Sequence, residues 1–167
     1  HGAVVGNTPF FKILSSSLEE NCIEFGYKII KHHLIEGDEM LDTLNNVIKS
    51  DCIGIILLGT EIYKEDLSLF TFIPVPIVLL DSYFHSRKMD CILMNNIEGA
   101  YQATRYLIQK RQTQPGYLHS SYLINNFEER ADGFYKALRD CGLSASKSIV
   151  HKLPASIEGA HAEMLNI

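Results

Sequence analysis

The sequence predicts an α/β fold in which parallel β-sheets are wrapped by helices. Strand-like and helix-like segments alternate along the 167 residues with few long gaps. Two of the strand-like segments, Cys52–Leu58 and Pro76–Leu80, are almost continuously apolar, as is typical of parallel strands covered on both faces. Because right-handed crossovers join such strands, we expect a doubly wound fold with its ligand site beyond the carboxyl ends of the strands.

The first half of the chain is divided into elements by apolar spacing and by residues that start or stop helices. Thr8 and Pro9 are typical of an N-cap and the first helical position, and Gly26 is typical of the residue after a helix. Further helices are predicted after Asp38 and over Lys64–Phe72. The first strand of this half is expected either at Gly2–Val5 or upstream of this sequence. The other predicted strands are Tyr27–Lys31, Cys52–Leu58, Pro76–Leu80 and Cys91–Met94.

The second half of the chain continues the alternation. One helix is predicted to begin at Asn96. The next begins at Asn126, where Glu129 completes a pattern like a capping box, and ends at Gly142. Ser156 is expected to open a last helix. The predicted strands of this half are Gly116–His119 and Ile149–Val150.

The composition is that of an acidic globular protein. The chain is 46% hydrophobic and 21% charged, with a net charge of −5 at pH 7, so the basic footprint of a nucleic-acid-binding surface is missing. No apolar run is long enough to span a bilayer, and the N-terminus lacks the pattern of a signal peptide. We therefore expect a soluble protein that is cytoplasmic.

The cysteines and histidines do not show the spacing of a metal site. The cysteines are widely separated and lie in or beside apolar segments, which favours buried, reduced thiols over disulfides or zinc ligands. The histidines lack the short repeats that place two ligands on one helix face. We expect no metal and no cofactor. The cysteines are Cys22, Cys52, Cys91 and Cys141.

Motifs for catalysis are missing from the sequence. It has no P-loop, no dinucleotide-binding glycine motif and no nucleophile elbow. The adjacent acids Glu128 and Glu129 diverge by about 100° on a helix, so the pair does not converge on a substrate as a carboxylate dyad does. The sequence therefore favours a binding protein over an enzyme.

Candidate recognition residues lie near the predicted strand ends and at the start of the first helix. Asp81 ends a buried strand, where its carboxylate can either accept hydrogen bonds from a ligand or cap the following turn. Helical spacing assigns Phe11 to the core first, whereas Phe10 falls off that face and could present its ring to a ligand. Local sequence leaves both alternatives for Asp81 open.

Arg130 is a candidate because of its place near the start of a helix. It is expected in the first turn, where the helix dipole mildly disfavours a cation. A ligand carboxylate or sugar would account for it. The alternative is a surface pair with Glu129 or Asp132, and local sequence leaves it open.

Several segments occur in an order and at spacings that are similar to the pattern of one family. They are Thr8–Phe11, Asp51–Leu58, Ile73–Asp81, Asn95–Ala100 with Ala103 and Thr104, Gly116–Leu118, and Glu129–Phe134 with Ala137 and Leu138. Together these segments resemble the lactose-repressor (LacI/GalR) family of bacterial transcription regulators. Asn95 stands where the family usually has aspartate, and Arg111 stands where it usually has glycine.

The resemblance implies a fold of the periplasmic-binding-protein type, with two Rossmann-like lobes and ligand in the cleft between them. Residues 1–94 would form the N-terminal lobe, and residues 95–167 would form part of the C-terminal lobe, which is then incomplete. The helix-turn-helix headpiece that binds DNA would lie outside this chain. We therefore expect the chain by itself not to bind operator DNA, in keeping with its acidity.

The resemblance also implies a set of ligand contacts and a class of ligand. An aromatic ring, a carboxylate and a guanidinium suit a polyhydroxylated or heteroaromatic ligand. A sugar is the first expectation and a purine-like ligand is the second, because the two adjacent phenylalanines resemble the aromatic pair of the purine-sensing branch. The implied ligand-binding residues are Phe10, Phe11, Thr60, Asp81, Asn126 and Arg130.

Three classes of function remain open. The resemblance implies the effector-sensing domain of a transcriptional repressor, which controls DNA binding by the headpiece. The alternative is an exported sugar-binding protein of a transporter, which shares the fold. The cysteines and the missing signal peptide favour the regulator. An enzyme on a flavodoxin-like sheet ranks third, because no nucleophile–base pair or phosphate loop is visible.

A homodimer is also implied, because family members place two headpieces on a two-fold operator. Apolar side chains around two segments of the first lobe offer more apolar surface than one strand layer needs to cover. Part of this surface could pack on a second copy, or it could simply fill the core. The side chains are Leu67, Leu69, Phe70, Tyr83 and Phe84.

Overall fold

The computed structural model describes residues 8–34, 38–85 and 88–167. The strand predicted at Gly2–Val5 lies outside the described residues. The chain divides into two compact units, unit 1 over His1–Ile92 and unit 2 over Leu93–Ile167. Among the described residues, none of the helices is long and apolar enough to cross a membrane.

Each unit combines helices with a small sheet. Unit 1 contains, in chain order, α1 (Pro9–Glu24), α2 (Asp38–Lys49), β1 (Ile55–Leu58), a 3-10 helix (Asp66–Phe70), β2 (Ile77–Leu80) and β3 (Asp90–Ile92). Unit 2 contains α3 (Asn96–Arg111), β4 (Tyr117–Ser120), α4 (Asn125–Asp140), a second 3-10 helix (Lys147–Ile149), β5 (Val150–Leu153) and α5 (Ile157–Met164).

The described strands of unit 1 form a parallel sheet in the order β1-β2-β3. The prediction that the apolar runs form parallel strands is therefore confirmed. Leu79 on the central strand is fully buried, since its side chain is covered by the core and both edges of its strand are paired. The core cluster around it consists of Met40, Leu44, Leu57, Phe70 and Leu79.

Helix α1 ends as the sequence predicts, but the strand expected after it does not form. Gly26 follows the helix with φ +79°, which suits a residue without a Cβ. Tyr27 donates its backbone N–H to the carbonyl of Cys22, so this group closes the helix instead of pairing with a sheet. The segment Tyr27–Lys31 has no strand structure, and that prediction is wrong.

Unit 2 is organised around the close approach of α3 and α4. A Cβ placed on Gly133 of α4 would lie 2.2 Å from the carbonyl oxygen of Ile97 in α3, so only glycine fits there. Strands β4 and β5 pair in parallel, with Tyr117 opposite Val150. The buried hydrophobic residues of α4 are Ala131, Phe134, Ala137 and Leu138.

The capping box predicted at the start of α4 is wrong. The helix begins at Asn125, after Ile124, whose side chain makes no capping bond. Asn126 therefore lies inside the first turn, where it is buried. The carboxylate of Glu129 accepts a hydrogen bond from Asn96 of α3 instead.

Two expectations about the surface are corrected by the burial of individual side chains. The apolar residues considered for a dimer surface belong largely to the core of unit 1: Leu67 and Phe70 are buried, and Leu69 and Phe84 pack against the core cluster.

The cysteines are free thiols, but Cys91 is exposed. Its strand lies at the end of the described sheet order. The other cysteines are half-buried, so the prediction of buried thiols is wrong, most clearly for Cys91.

Candidate functional site

In unit 1, two predicted ligand residues meet at the carboxyl ends of neighbouring strands. Thr60 follows β1 and Asp81 follows β2. The Thr60 hydroxyl donates a hydrogen bond of 2.7 Å to Oδ2 of Asp81. Because the carboxyl ends of parallel strands share one edge of the sheet, residues 21 positions apart come into contact there.

The backbone fixes the Asp81 carboxylate firmly. Asp81 has φ +62°, a left-handed conformation that aspartate tolerates better than most residues. Its N–H donates to the carbonyl of Ile92 at 2.8 Å, which extends the pairing of β2 with β3 by one residue. The side chain is 5% exposed. The result is a buried hydrogen-bond acceptor at the edge of the sheet where ligands bind in this class of fold.

The two phenylalanines at the start of α1 have different environments. Their rings meet edge to face with centroids 5.0 Å apart. Phe11 is buried, as its helical spacing predicts, whereas Phe10 is 45% exposed. Of the pair, Phe10 therefore has the ring surface that a ligand could contact.

In unit 2, Arg130 is held by two neighbours. Its Nε donates a 2.8 Å hydrogen bond to Oδ1 of Asn96, and its guanidinium carbon lies 5.6 Å from the centre of the Phe127 ring. Because α4 begins at Asn125, Arg130 lies in the second turn. The expectation that it lies in the first turn is wrong, and the argument from the helix dipole weakens accordingly.

The surface pair considered for Arg130 is replaced by a three-residue contact. Asn96 donates from Nδ2 to Oε2 of Glu129 at 2.9 Å and accepts from Arg130 at Oδ1. The amide of Asn96 thus lies between the acid and the arginine, and Asn96 itself is 8% exposed. The side chains of Arg130 and Glu129 are therefore linked through a buried neutral group.

Aromatic side chains of β4 and α4 form a cluster beside Arg130. Tyr117 stacks on Phe134 with centroids 5.0 Å apart, and His119 meets Phe127 edge to face. Burial raises the pKa of the Tyr117 hydroxyl above its ordinary value, the positive charge of Arg130 lowers it, and the negative charge of Glu128 raises it. The phenol therefore stays neutral at physiological pH.

His119 is a buried polar residue that the sequence did not single out as a candidate. It is 4% exposed, and its Nε2 lies 3.5 Å from Oε1 of Glu128. Its other ring nitrogen contacts the backbone carbonyl of Ser120. The one sequence signal for it was its position at the predicted end of a strand, which did not distinguish it from its neighbours.

The structure brings some of the predicted ligand residues together and leaves others apart. Thr60 and Asp81 are hydrogen-bonded in unit 1. Asn126 and Arg130 lie one turn apart on α4 in unit 2, and Asn126 is buried. Asn96 was missed, although the doubled asparagine at the start of α3 was visible in the sequence. Within residues 8–34, 38–85 and 88–167, no cluster of histidine, cysteine or acidic side chains could hold a metal ion.

A groove of about 390 Å³ lies elsewhere in unit 1. It runs along the 3-10 helix and reaches Ile77 and Asp90, the first residues of β2 and β3. It therefore lies at the amino ends of these strands, away from Thr60 and Asp81. The predicted ligand residues are not part of its lining.

A family comparison matches nearly the whole chain. The family described as periplasmic binding proteins and sugar binding domain of the LacI family matches residues 3–164. The HTH-type transcriptional repressor PurR of Actinobacillus pleuropneumoniae is 26% identical over 160 residues, which are 95% of this chain and 48% of the repressor. The HTH-type transcriptional regulator GalR of Escherichia coli is 29% identical over 153 residues, which are 89% of this chain and 44% of that regulator. The chain thus spans about half the length of these relatives.

Solved structures share the fold. A putative ribose operon repressor from Burkholderia thailandensis superposes with a TM-score of 0.76 at 21% identity, over 96% of this chain and 70% of the repressor. The transcription regulator CcpA of Lactococcus lactis superposes with a TM-score of 0.77 at 18% identity, over 95% of this chain and 60% of that protein. The expected periplasmic-binding-protein-like α/β fold is therefore confirmed.

Proposed function

The chain belongs to the family of periplasmic binding proteins and LacI-family sugar-binding domains, and from this premise we propose that it is the effector-sensing core of a transcription regulator. The curated relatives named above are regulators with a helix-turn-helix and not enzymes. They favour a regulator over the alternative, an exported sugar-binding protein of a transporter.

The observation that carries this proposal is the fixed guanidinium of Arg130. Arginine is long and flexible, yet here its Nε is hydrogen-bonded to Asn96 and its guanidinium carbon lies 5.6 Å from the centre of the Phe127 ring. A hydrogen bond through Nε leaves the terminal N–H groups of the guanidinium for another acceptor. Fixing such a fork in advance is what a protein needs to bind oxygen atoms of a small ligand.

The proposed effector is a sugar, with a purine-like compound as the second candidate. Sugar hydroxyls both donate and accept hydrogen bonds. In unit 1 the buried carboxylate of Asp81 can accept from a hydroxyl, and in unit 2 the guanidinium of Arg130 can donate to one. The exposed ring of Phe10 suits the apolar face of a sugar or the plane of a purine. Thr60 and Asn126 complete the proposed ligand residues, and Phe11 supports Phe10 from the core.

We assign the partners of the complete protein by the same reasoning. A DNA-binding headpiece outside this chain would contact operator DNA, and a regulator of this kind would act in the cytoplasm. A homodimer is proposed because two headpieces match a two-fold operator. The apolar residues of unit 1 first considered for the dimer do not support it, since most of them belong to the core. Light scattering of the complete protein at micromolar concentration tests the dimer, and a monomer contradicts it.

Arg130→Ala in the complete protein is the main test. Binding is measured by calorimetry against a panel of D-glucose, D-galactose, D-ribose, adenine and guanine. The variant should lose about 2 kcal/mol or more of binding free energy, because it removes charge-assisted hydrogen bonds. The matched control is Arg111→Ala at the exposed end of α3, which should bind as the wild type does. Equal binding by the Arg130 variant contradicts the proposal.

Asp81→Asn tests the other half of the proposed contacts. The amide oxygen of asparagine can still accept from Thr60, and asparagine tolerates the positive φ of this position. We therefore expect weaker sugar binding, while the melting temperature shifts by no more than a few degrees. A sharp fall in melting temperature with unchanged affinity would mean that Asp81 is only a structural residue.

A further inference from the structure

We propose that Asn96 is a positioning residue which, together with Glu129, sets the orientation of Arg130 for effector binding. The inference rests on the proposed role of Arg130. Asn96 is hydrogen-bonded to the proposed ligand-binding arginine, and this role accounts for the second of the two asparagines at the start of α3.

The two neighbouring asparagines have different tasks. Asn95 is the N-cap of α3, and its side-chain oxygen accepts from the backbone N–H of Glu98 at 3.2 Å. The amide of Asn96 makes its hydrogen bonds with α4. Asn95 is exposed, whereas Asn96 is buried. A buried amide that is not needed for the helix cap requires another role, because burying it without partners is costly.

The contacts of Asn96 fix which way its amide faces. The Glu129 carboxylate can only accept a hydrogen bond, and the Arg130 Nε–H can only donate one. The amide nitrogen of Asn96 must therefore face Glu129, and its oxygen must face Arg130, as the structure has them at 2.9 Å and 2.8 Å. Turning the amide over would place donor against donor and acceptor against acceptor. Glu129 thereby keeps the oxygen of Asn96 directed at the arginine.

The guanidinium of Arg130 is hydrogen-bonded through Nε and lies near an aromatic ring. Asn96 binds Nε, and the Phe127 ring lies 5.6 Å from the guanidinium carbon. Among the described residues, no protein acceptor is hydrogen-bonded to the terminal nitrogens of this guanidinium. Protein groups thus orient the guanidinium. Its terminal N–H groups can donate to a pair of acceptors such as vicinal hydroxyls of a ligand. Ordering the side chain in advance lowers the entropy that binding must overcome.

A double-mutant cycle in the complete protein tests the inference. The probe is the compound of the sugar and purine panel that binds the wild type most tightly, and affinity is measured by calorimetry. Asn96→Leu has similar volume but makes neither hydrogen bond. It should weaken binding about tenfold, equivalent to about 1.4 kcal/mol. In an Arg130→Lys background it should have no further effect, because lysine has no Nε–H group for Asn96 to hold.

Two further variants separate positioning from stability. Asn95→Ala is the matched control: it removes the helix cap and lowers the urea midpoint, but it should leave affinity unchanged. Asn96→Asp keeps the acceptor for Arg130 and places a carboxylate against Glu129, so affinity should fall. Adding Glu129→Gln to Asn96→Asp supplies a new amide donor and should restore affinity to within about twofold. This pair decides the question even if Asn96→Leu does not fold.

The outcomes distinguish this inference from the proposed function. If Arg130→Ala binds like the wild type, or if the wild type binds no compound of the panel, the proposed function fails and the inference fails with it. If Arg130→Ala weakens binding but Asn96→Leu weakens it equally in both backgrounds, only the inference is overturned. The same holds if Asn95→Ala weakens binding as much as Asn96→Leu, or if the second substitution at Glu129 fails to restore affinity to Asn96→Asp.

Discussion

The two units of the chain hold their candidate ligand residues in different ways. In unit 1, Asp81 follows directly after a core strand, and its short side chain is directed by the backbone and hydrogen-bonded by Thr60. In unit 2, Arg130 lies on a helix at the end of a long side chain, which needs Asn96 and Phe127 to fix it. Asp81 is thus placed mainly by the backbone at a strand end, whereas Arg130 depends on side chains of two helices.

The two units also differ in the contacts that stabilise them. The core of unit 1 is apolar and centres on Leu79 in the middle strand of the sheet. Unit 2 also buries apolar side chains of α4, such as Leu138, but it adds the close contact of α3 with α4 at Gly133 and the buried amide of Asn96 at the same helix pair. Substitutions in the two units should therefore act by different mechanisms, and this contrast can be measured.

The largest effect is expected from Leu79→Ala in unit 1. Leu79 is fully buried, so the change leaves a cavity and should lower the free energy of unfolding by about 3 kcal/mol. Urea unfolding measures the loss, and hydrogen exchange of the β1 and β2 amides locates it. The matched control is Leu118→Ala in β4, where the side chain is 53% exposed, and the loss should be less than about 1 kcal/mol. Equal losses of stability in the two variants would contradict the conclusion that Leu79 is central to the core of unit 1.

Gly133→Ala should have the next largest effect, in unit 2. The added methyl group would lie 2.2 Å from the carbonyl oxygen of Ile97, so α3 and α4 must separate, at a cost of about 2 kcal/mol. Gly99→Ala in α3 is the control, since a Cβ there meets nothing within 4 Å. It should stabilise the helix by about 0.5 kcal/mol or more. If both variants behave alike, close packing of the two helices does not hold unit 2 together.

The elements that the sequence predicted best are those whose signal is local and strong. The apolar runs around Ile55–Leu58 and Ile77–Leu80 became parallel strands, and Gly26 and Gly142 follow helices with positive φ. The predictions failed where a hydrogen-bonding group was paired with a different partner from the one expected. Tyr27 gives its N–H to α1 instead of to a strand, and Glu129 bonds to Asn96, 33 residues away, instead of capping α4.

The residues of the candidate site also divide into those with a signal in the sequence and those that depend on long-range contacts. Thr60 and Asp81 could be paired from the sequence, because the ends of parallel strands are neighbours by topology. Asn96 and His119 could not be selected. Their importance depends on contacts with α4 that come from the packing of helix on helix and of helix on strand. A pattern within a few residues carries no information about such contacts.

The smallest effect is expected from the titration of Tyr117, which reports on the polar network of unit 2. Burial raises the pKa of its hydroxyl above about 10, so the folded state holds this proton more tightly than the unfolded state. Its contribution to stability is fully present below pH of about 10 and is lost as the pH rises through the folded pKa. Tyr117→Phe should therefore flatten the alkaline end of the stability profile while changing little at neutral pH.

The same titration tests whether Arg130 lies where the helix network holds it. The positive charge of Arg130 lowers the pKa of Tyr117, and the negative charge of Glu128 raises it. Arg130→Ala should therefore raise this pKa further, and Glu128→Gln should lower it. Absorbance at alkaline pH measures both, with Tyr117→Phe subtracted to isolate the one phenol among the other tyrosines. An unchanged pKa in Arg130→Ala would mean that the guanidinium lies away from Tyr117, and the contrast between the two units would lose its basis in unit 2.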